Sequence, residues 1–272
     1  MLLAGYVSAL IIGFVLGTLG GGGSILTVPV MVYLVGLPAV EATAHSLFVV
    51  GLAAVVGAIS YLRRGDVDIR VAVLFAIPSL IAVYLTRRVL IPAIPEILLA
   101  TPRFSLSKDA GIMLLFAVIM LLAAVSMIRR RPGVLPVSGN LVEEPPEGPP
   151  GFLGIAAEGV VVGTLTGLVG AGGGFLIVPA LVVLGKLPMR QAVGTSLLII
   201  AAKSLIGFLG DLGAATAIDW PFLALFAGLT IGGIILGSRM AARIPGAFLK
   251  RAFGWFVLVM GLVITVQEVG VV

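Results

Sequence analysis

The chain has 272 residues, of which 60% are hydrophobic and 11% charged, and its mean hydropathy is +1.25. Soluble domains are only about half apolar and about a quarter charged, so this composition predicts a protein that spans a lipid bilayer several times. The net charge is +5, and most of the basic residues lie between apolar segments, where such residues orient the chain and contact lipid headgroups. No nucleic acid is therefore expected as a partner. The chain has no cysteine, which excludes disulfides, thiolate metal sites and thiol redox chemistry.

Apolar segments long enough, or nearly long enough, to cross a bilayer recur along the chain. They are residues 1–19, 42–62, 70–86, 111–128, 152–170, 193–210, 220–238 and 252–269. The first lacks the basic start and the cleavage site of a signal peptide, so it is predicted to remain as a span. Two shorter apolar pieces, 24–36 and 174–185, each follow a run of glycines and are predicted to be half-helices or re-entrant segments.

The chain is divided by a segment rich in proline, glycine and charge, RRRPGVLPVSGNLVEEPPEGPPG (129–151), which is predicted to be a solvated linker. It separates an N-terminal transmembrane repeat, 1–128, from a C-terminal one, 152–272. A shift of 150 residues aligns GTLGGGGSILTVPVMVYLVGLPAVEATAHSLF (17–48) with GLVGAGGGFLIVPALVVLGKLPMRQAVGTSLL (167–198). The predicted fold is therefore an all-α polytopic membrane protein with two homologous repeats. Each repeat has about four spanning helices and one short broken or re-entrant helix.

Two-fold repeated helical membrane proteins are typically secondary transporters, in which broken helices hold the substrate where the repeats meet. By analogy with these transporters, the two repeats are expected to be inverted. The distribution of basic residues gives conflicting indications. Arg129, Arg130 and Arg131 favour a cytoplasmic linker. The loops after the third and seventh spans are both basic, so both would prefer the cytoplasmic side, whereas inversion would place them on opposite sides of the membrane. The basic residues of these loops are Arg87, Arg88, Arg103, Lys108, Arg239, Arg243, Lys250 and Arg251.

The two glycine runs are the first candidate site. Each allows the backbone to leave one helix and begin another, near Ser24 and near Gly174, and the first N–H groups of a helix have no partner within it. With the positive end of the helix dipole, such donors form an anion site. Tight helix packing is the alternative role, and it suits Gly13, Gly17, Gly163, Gly167, Gly228, Gly232, Gly233 and Gly237. The candidate substrate-binding residues in the runs are Gly20, Gly22, Gly23, Ser24, Gly170, Gly172 and Gly173.

A second matched block, EATAHS (41–46) against QAVGTS (191–196), lies near the start of the second and sixth spans. Its candidate residues are His45, Ser46, Thr195 and Ser196, which can cap a helix or donate to a ligand oxygen. His45, the only histidine, is more typical of a satisfied core histidine, and a lone histidine is no metal site. No metal, cofactor or catalytic residue is predicted. Asp68 and Asp219 precede their spans in matching places and are predicted helix N-caps.

Lys203 lies near the centre of the apolar span SLLIIAAKSLIGFLG. A charged side chain in mid-membrane costs about 2.5–3.5 kcal/mol on insertion scales and suggests a functional role by default. Its candidate partners are Asp211, Glu158 and a bound substrate. We expect Lys203 to offset the charge of a bound anion; snorkelling or a structural ion pair is the alternative.

The doubled pattern resembles the TauE/SafE sulfite exporter family of membrane anion transporters. A glycine-rich loop, Val-Pro, Leu-Pro and Ala-x-x-Ser occur once in each half, as GTLGGGGSILTVP…LP…ATAHS and GLVGAGGGFLIVP…LP…AVGTS. The segment RRGDVD (63–68) is also similar to the family's loop after the second span. The resemblance implies export of sulfite, sulfoacetate or a related organosulfonate across the plasma membrane. It carries over the positions Gly20, Gly22, Gly23, Ser46, Gly170, Gly172, Gly173 and Ser196.

The predicted function is a secondary transporter that exports a small sulfur-containing anion by alternating access, and not an enzyme. An anion channel and a non-transporting membrane sensor are the alternatives. An intramembrane Ser–His hydrolase is disfavoured because the second half keeps the glycines but not Ser24, and no P-loop for ATP hydrolysis is present. The expected partners are the bilayer, the anion, protons or another coupling ion, and a second copy of the chain in a homodimer.

Overall fold

A computed structural model describes residues 2–19, 21–101, 104–129, 152–170, 172–183, 185, 187–211, 219–240 and 246–271. Most of these residues are helical. The α-helices are α1 (Leu2–Leu19), α2 (Thr27–Pro29), α3 (Ala39–Leu62), α4 (Ile69–Leu85), α5 (Ile91–Ala93), α6 (Lys108–Arg129), α7 (Phe152–Val169), α8 (Gly174–Val183), α9 (Met189–Asp211), α10 (Trp220–Met240) and α11 (Gly246–Val271). Each predicted span coincides with one helix, with ends that differ by at most six residues.

Four helical segments among the described residues are long and apolar enough to cross a bilayer: Ala39–Leu62, Ile69–Ala93, Arg190–Asp211 and Trp220–Met240. Shorter apolar helices are Ala4–Leu19, Gly23–Val35, Leu153–Val169 and Val257–Glu268. The outer surface is apolar; Ile77, Ile81 and Leu85 of α4, for example, each expose more than half of their surface. The predicted all-α polytopic membrane protein is confirmed.

The described part of the chain also contains segments that are not regular α-helix. Residues 22–35 form a continuous but irregular short helix, made of a 3₁₀ turn (Gly22–Leu26), α2 and a π-helix (Val30–Val35). A second π-helix, Thr86–Leu90, joins α4 to α5. A small antiparallel hairpin, β1 (Ile97–Thr101) with β2 (Phe104–Ser107), lies before α6 and is not predicted from the sequence.

The closest helix pairs each join a helix of the first half to a helix of the second half. α1 packs on α10 and α7 packs on α4, while α3 packs on α9 and α6 on α11. Glycines make these contacts close: a Cβ added to Gly13 would lie 3.0 Å from the Cα of Gly233, and one added to Gly163 would lie 2.5 Å from the carbonyl oxygen of Ser79. The predicted packing role is therefore confirmed at Gly13 and Gly163.

The same role is wrong for two glycines of α10. Among the described residues, a Cβ added to Gly228 would meet no atom within 4 Å, and one added to Gly232 would meet only Leu10 Cδ2, at 3.8 Å. These two positions lie on a face of α10 that the described helices do not cover closely. Spacing along the helix alone did not separate them from Gly233 and Gly237, which pack on α1.

The equivalent helices α3 and α9 run antiparallel. At one end of their contact a Cβ on Gly194 would lie 2.9 Å from Tyr61 Cβ, and further along a Cβ on Gly51 would lie 3.2 Å from the backbone nitrogen of Leu205. Residue numbers thus rise along one helix as they fall along the other. An inverted repeat requires this direction for its central pair of equivalent helices.

Both aspartates predicted to cap helices do so. The Val71 N–H donates to Asp68 Oδ1 over 3.0 Å at the start of α4, and the Phe222 N–H donates to Asp219 Oδ1 over 3.1 Å at the start of α10. Each carboxylate satisfies an N–H that would lack a partner within its helix. The buried apolar core lies in two clusters, one mainly between α1, α6, α10 and α11, the other between α3, α4 and α7 to α9.

Candidate anion site at the glycine turns

The first glycine run interrupts its helix, as predicted. α1 ends at Leu19, and the 3₁₀ turn begins at Gly22 after Gly21, whose φ of +135° is readily adopted only by glycine. The Ser24 hydroxyl donates to the Gly21 carbonyl oxygen over 2.7 Å. The proton of Ser24 therefore closes the turn. Gly20 lies outside the described residues.

The second glycine run breaks its helix more sharply. Gly170, Gly172 and Gly173 have φ values of 72°, 64° and 65°, in the left-handed region that favours glycine. α8 begins at Gly174, and its first carbonyl acceptor is that of Gly173, to which the Ile177 N–H donates over 3.1 Å. A regular α-helix thus starts directly at the turn, with its first N–H groups unpaired within the helix.

The two turns meet. A Cβ added to Gly21 would lie 2.5 Å from the Cα of Gly174, and Ile200 of α9 packs against both positions. A Cβ added to Gly172 would lie 3.2 Å from Ser24 Cβ and 3.5 Å from Ser24 Oγ. The starts of the two short helices, one from each half of the chain, are therefore side by side inside the protein.

One face of α3 lies against the second turn. Thr43 contacts Gly170, and Val50 contacts Gly172. Ser46 lies between Thr43 and Val50 at helical spacing, so it shares their face. Its hydroxyl is fully buried and has no hydrogen-bond partner among the described residues. Buried hydroxyls are normally paired, so Ser46 has bonding capacity to spare beside the turn.

In the second half, the repeat equivalents of Ser46 and His45 are Ser196 and Thr195 of α9, and these two side chains have different contacts. Ser196 is buried one turn before Ile200, and its hydroxyl donates to the Val193 carbonyl oxygen over 2.8 Å. Thr195 is turned away: its Oγ1 accepts from the Asp68 N–H over 2.9 Å, which ties the start of α9 to the start of α4. The structure thus does not place Thr195 with the residues of the turns.

His45 is satisfied within its own helix. It is buried, and its Nδ1 lies 2.7 Å from the Glu41 carbonyl oxygen, to which it can only donate. This matches the satisfied core histidine that the sequence favours. No group of three or more histidine, aspartate or glutamate side chains that would hold a metal ion comes together in the described ranges.

Lys203 lies directly against the second turn. Its side chain is fully buried, its Nζ donates to Thr166 Oγ1 over 2.9 Å, and a Cβ added to Gly173 would lie 2.6 Å from Nζ. None of the ion pairs between described residues joins Lys203 to a carboxylate; the expected candidate Asp211 pairs with Arg87 instead. A buried ammonium with one neutral acceptor can still receive an anion.

The polar environment of Lys203 has no counterpart in the first half. Under the shift of 150 residues, Ala53 is the equivalent of Lys203 and Leu16 is the equivalent of Thr166. The first turn accordingly packs on apolar residues, and a Cβ added to Gly23 would lie 2.5 Å from the backbone nitrogen of Leu16. The candidate site is therefore geometrically paired but charged on one side only.

The sequence predicts that Arg87 lies in a basic loop after the third span, and this prediction is wrong. The helical segment continues from Ile69 to Ala93, and Arg87 lies in its π-helix with 1% of its surface exposed. Its Nη1 is 3.6 Å from Asp211 Oδ1, and none of its three guanidinium nitrogens has a hydrogen-bond partner among the described residues. The apolar run VLIPAI after the two arginines was the available signal that the helix continues.

Broken helices that meet between two halves of an apolar helical chain define a class of protein, the membrane transporters. The comparisons with known proteins agree. The chain belongs to the TauE/SafE family, since the model of that family, described as "Sulfite exporter TauE/SafE", matches residues 6–264.

Relatives of similar length carry matching names. A "Probable membrane transporter protein" of Xylella fastidiosa is 30% identical over 257 residues, which cover 93% of this chain and 90% of the relative. The "Probable membrane transporter protein YunE" of Bacillus subtilis is 28% identical, over 84% of this chain and 86% of its own length. A probable membrane transporter protein of Methanocaldococcus jannaschii is 24% identical, over 93% and 92%. No solved structure matches the chain.

Proposed function

We propose that this protein is a plasma-membrane secondary transporter that exports a small sulfur-containing anion, such as sulfite, sulfoacetate or a related organosulfonate. The observation that carries the proposal is the position of Lys203, whose buried ammonium lies against Gly173 beside the contact of Gly21 with Gly174. A buried charge is costly unless a countercharge accompanies it, and none of the ion pairs between described residues provides one. The description of the family supports a sulfur oxyanion as that countercharge.

The donors available at the turns suit an anion with several oxygens. The helix starts at Gly22 and Gly174 offer backbone N–H groups, Ser46 offers a hydroxyl, and Lys203 offers an ammonium with two further protons. Ser24 does not donate to the ligand in this conformation, because its proton is held by Gly21. A tetrahedral sulfonate can accept from donors on several sides at once.

Alternating access is supported by the relation between the halves. α3 and α9 cross antiparallel at the turns. The first helix of each half packs on a helix of the other half, α1 on α10 and α7 on α4. In inverted-repeat transporters, one such group of helices rocks against the other around a fixed site. Each half of this chain would then exchange its conformation with the other to open the site on the opposite side.

The proposal is tested by flux into proteoliposomes. Purified protein is expected to move radiolabelled sulfoacetate or sulfite, with unlabelled anion inside the vesicles accelerating uptake. Lys203→Met should raise the anion concentration for half-maximal flux at least tenfold, while Lys203→Arg should retain part of the activity because it keeps the charge. Arg70→Ala is the matched control, because Arg70 is an exposed cation at the start of α4. The same helical segment contacts Gly167, close to the second turn, through Thr86, sixteen residues or about 24 Å further on.

The outcomes separate the candidate mechanisms. Absence of flux of both anions through folded protein would contradict the transport proposal. Single-channel currents without accelerated exchange would show the alternative anion channel, since a channel needs no obligatory closure around its ligand. Unchanged half-maximal concentration in a folded Lys203→Met protein would remove Lys203 from the site.

A further inference from the structure

A groove opens between the C-terminal ends of α3 and α10. Its volume is about 400 Å³, and its polar lining consists of Ser60, Arg63, Arg64, Ser238 and Arg239. None of the described residues that line it is acidic. The groove is therefore concave, open to the surroundings of the protein and strongly positive.

None of the three arginines of the groove forms an ion pair with another described residue. Arg63, Arg64 and Arg239 are exposed, and the ion pairs found between described residues involve other cations. The nearby carboxylate of Asp66 is occupied by Arg190, whose Nε lies 2.8 Å away. Only Arg64 has a described aromatic contact, with its guanidinium 5.9 Å from the centre of the Tyr61 ring. Guanidinium groups recognise oxyanions through paired N–H donors.

The lining of the groove includes residues on the helix that also contacts the glycine turns. Gly57 of α3 and Ile234 of α10 both line it and pack together, and a Cβ on Gly57 would lie 2.7 Å from Ile234 Cδ1. Val50, which contacts Gly172, lies on α3 seven residues earlier, or about 10 Å at the rise of an α-helix. The groove and the turns are thus two successive places along one helix.

The opposite end of the fold differs at the equivalent positions. Under the shift of 150 residues, Tyr61, which lies beside the groove, corresponds to Asp211. Asp68 and Asp219 align under a shift of 151 residues, and under that shift Ser238 corresponds to Arg87. Because α3 and α9 run antiparallel, these equivalents lie at the other end of the molecule. There Arg87 and Asp211 are buried and lie 3.6 Å apart as an ion pair. Among the described residues, one end therefore has an open basic groove and the other has a buried ion pair at the equivalent positions.

We propose that this groove is an anion-binding vestibule that receives the sulfonate or sulfite group of the substrate before it reaches the glycine turns. The inference rests on the proposed transport function, because the groove is assigned as one mouth of its pathway. A cleft lined by charges of one sign raises the local concentration of the opposite ion by 10-fold or more. Arginines at this place would therefore act on loading of the site and not on the later conformational step.

The test uses the natural absence of cysteine. Ser60→Cys places a single thiol in the groove, and its modification rate is measured with an anionic and a cationic thiosulfonate reagent, in nanodiscs of neutral lipid. The anionic reagent is expected to react about tenfold faster than the cationic one, in line with charge focusing in a cleft. Arg63→Ala combined with Arg239→Ala should abolish this difference, and Arg88→Ala should leave it unchanged, because Arg88 is exposed at the opposite end, next to the Arg87–Asp211 pair.

Sulfoacetate then serves as the probe of binding, because sulfite itself reacts with thiosulfonates. Sulfoacetate in neutral nanodiscs should slow modification of the thiol at position 60 by the anionic reagent. If sulfoacetate has no effect and protection requires phosphatidylglycerol, the groove holds a lipid headgroup and the vestibule is refuted. The vestibule is also refuted if the ratio of the anionic to the cationic modification rate stays the same after Arg63 and Arg239 are replaced by alanine.

Flux measurements keep this inference apart from the transport proposal. Arg63→Ala with Arg239→Ala should raise KM for sulfoacetate several-fold and leave kcat near its normal value. Normal KM in this variant overturns the vestibule while transport stands. Protection at position 60 in a protein that moves no anion would leave the groove as a binding site and overturn transport.

Discussion

Arg87 and Asp211 face one another across the contact of the π-helix Thr86–Leu90 with α9, with Arg87 Nη1 3.6 Å from Asp211 Oδ1 and both side chains buried. The pair is not reinforced by hydrogen bonds: all three guanidinium nitrogens and Asp211 Oδ2 are without such partners in the described part of the chain. Asp211 also lies within electrostatic range of His45. Each charge therefore depends mainly on the other for its compensation.

Removal of either member of this pair should be more harmful than removal of both. Arg87→Met or Asp211→Leu leaves an uncompensated buried charge, which typically costs about 3–5 kcal/mol. The double variant Arg87→Met with Asp211→Leu should recover most of that loss because both charges are gone. Thermal unfolding of the three variants in one detergent checks this. A double variant as unstable as the sum of the single ones would show that the pair is not coupled.

The hydrogen bond of Lys203 to Thr166 predicts a graded effect on α7. Thr166→Val keeps the shape of the side chain but removes the acceptor of the ammonium, and a buried donor left unsatisfied costs about 1–3 kcal/mol. We expect a lower Tm and reduced sulfoacetate flux in Thr166→Val. Thr166→Ser should restore both because its hydroxyl returns. Equal behaviour of the valine and serine variants would show that the bond is dispensable.

Two glycines of the same helix should respond oppositely to alanine. At Gly228 of α10 a new Cβ meets no atom of the described residues within 4 Å, so Gly228→Ala should stabilise the protein by about 0.5–1 kcal/mol through helix propensity. At Gly233 the Cβ would lie 2.8 Å from the backbone nitrogen of Phe14, so Gly233→Ala should force α1 away and lower Tm. The thermal melts of the two proteins make the comparison. Equal shifts in Tm would contradict the close contact of α1 with α10.

The antiparallel crossing of α3 and α9 predicts which cysteine pairs form disulfides in this chain without cysteines. Pairs at 61 and 194, and at 51 and 205, should cross-link on mild oxidation, because Tyr61 is close to Gly194 and Gly51 is close to Leu205. The exchanged pairs, 51 with 194 and 61 with 205, should not, because they are separated by about ten residues of helix, or roughly 15 Å. Gel mobility with and without reductant reports the result. Cross-linking of the exchanged pairs would indicate parallel helices.

Much of the fold was predictable because its signals are local. Long apolar segments predict the spans, glycine runs predict the breaks before Gly22 and Gly174, and an aspartate before an apolar segment predicts the caps at Asp68 and Asp219. Lys203 was also recognisable, since an ammonium is costly anywhere in an apolar span. These inferences need no knowledge of which helix packs on which.

The remaining features depend on tertiary contacts. Nothing near Thr166 in sequence indicates that it meets Lys203, because α7 and α9 are brought together only by the fold. Arg87 was misplaced because two adjacent arginines are typical of a loop, whereas the buried Asp211 allows one of them to stay inside a helix. Thr195 resembled a ligand group from its repeat position, but it accepts from the Asp68 N–H.

Since Lys203 stands where the first half has Ala53, the described residues of the candidate site include one lysine and not a symmetric pair. If the proposed ligand binds there, a monovalent anion makes an electrically neutral complex, while a divalent one leaves a net charge in a medium of low dielectric constant. Loaded with a monoanion, the protein would then reorient without moving net charge; loaded with sulfoacetate, which carries a sulfonate and a carboxylate, it would move one negative charge outward. In both cases the empty, positively charged protein would return inward. An interior-negative membrane voltage assists that return by up to about 2.3 kcal/mol per 100 mV, enough to drive export of a monoanion without a co-transported ion.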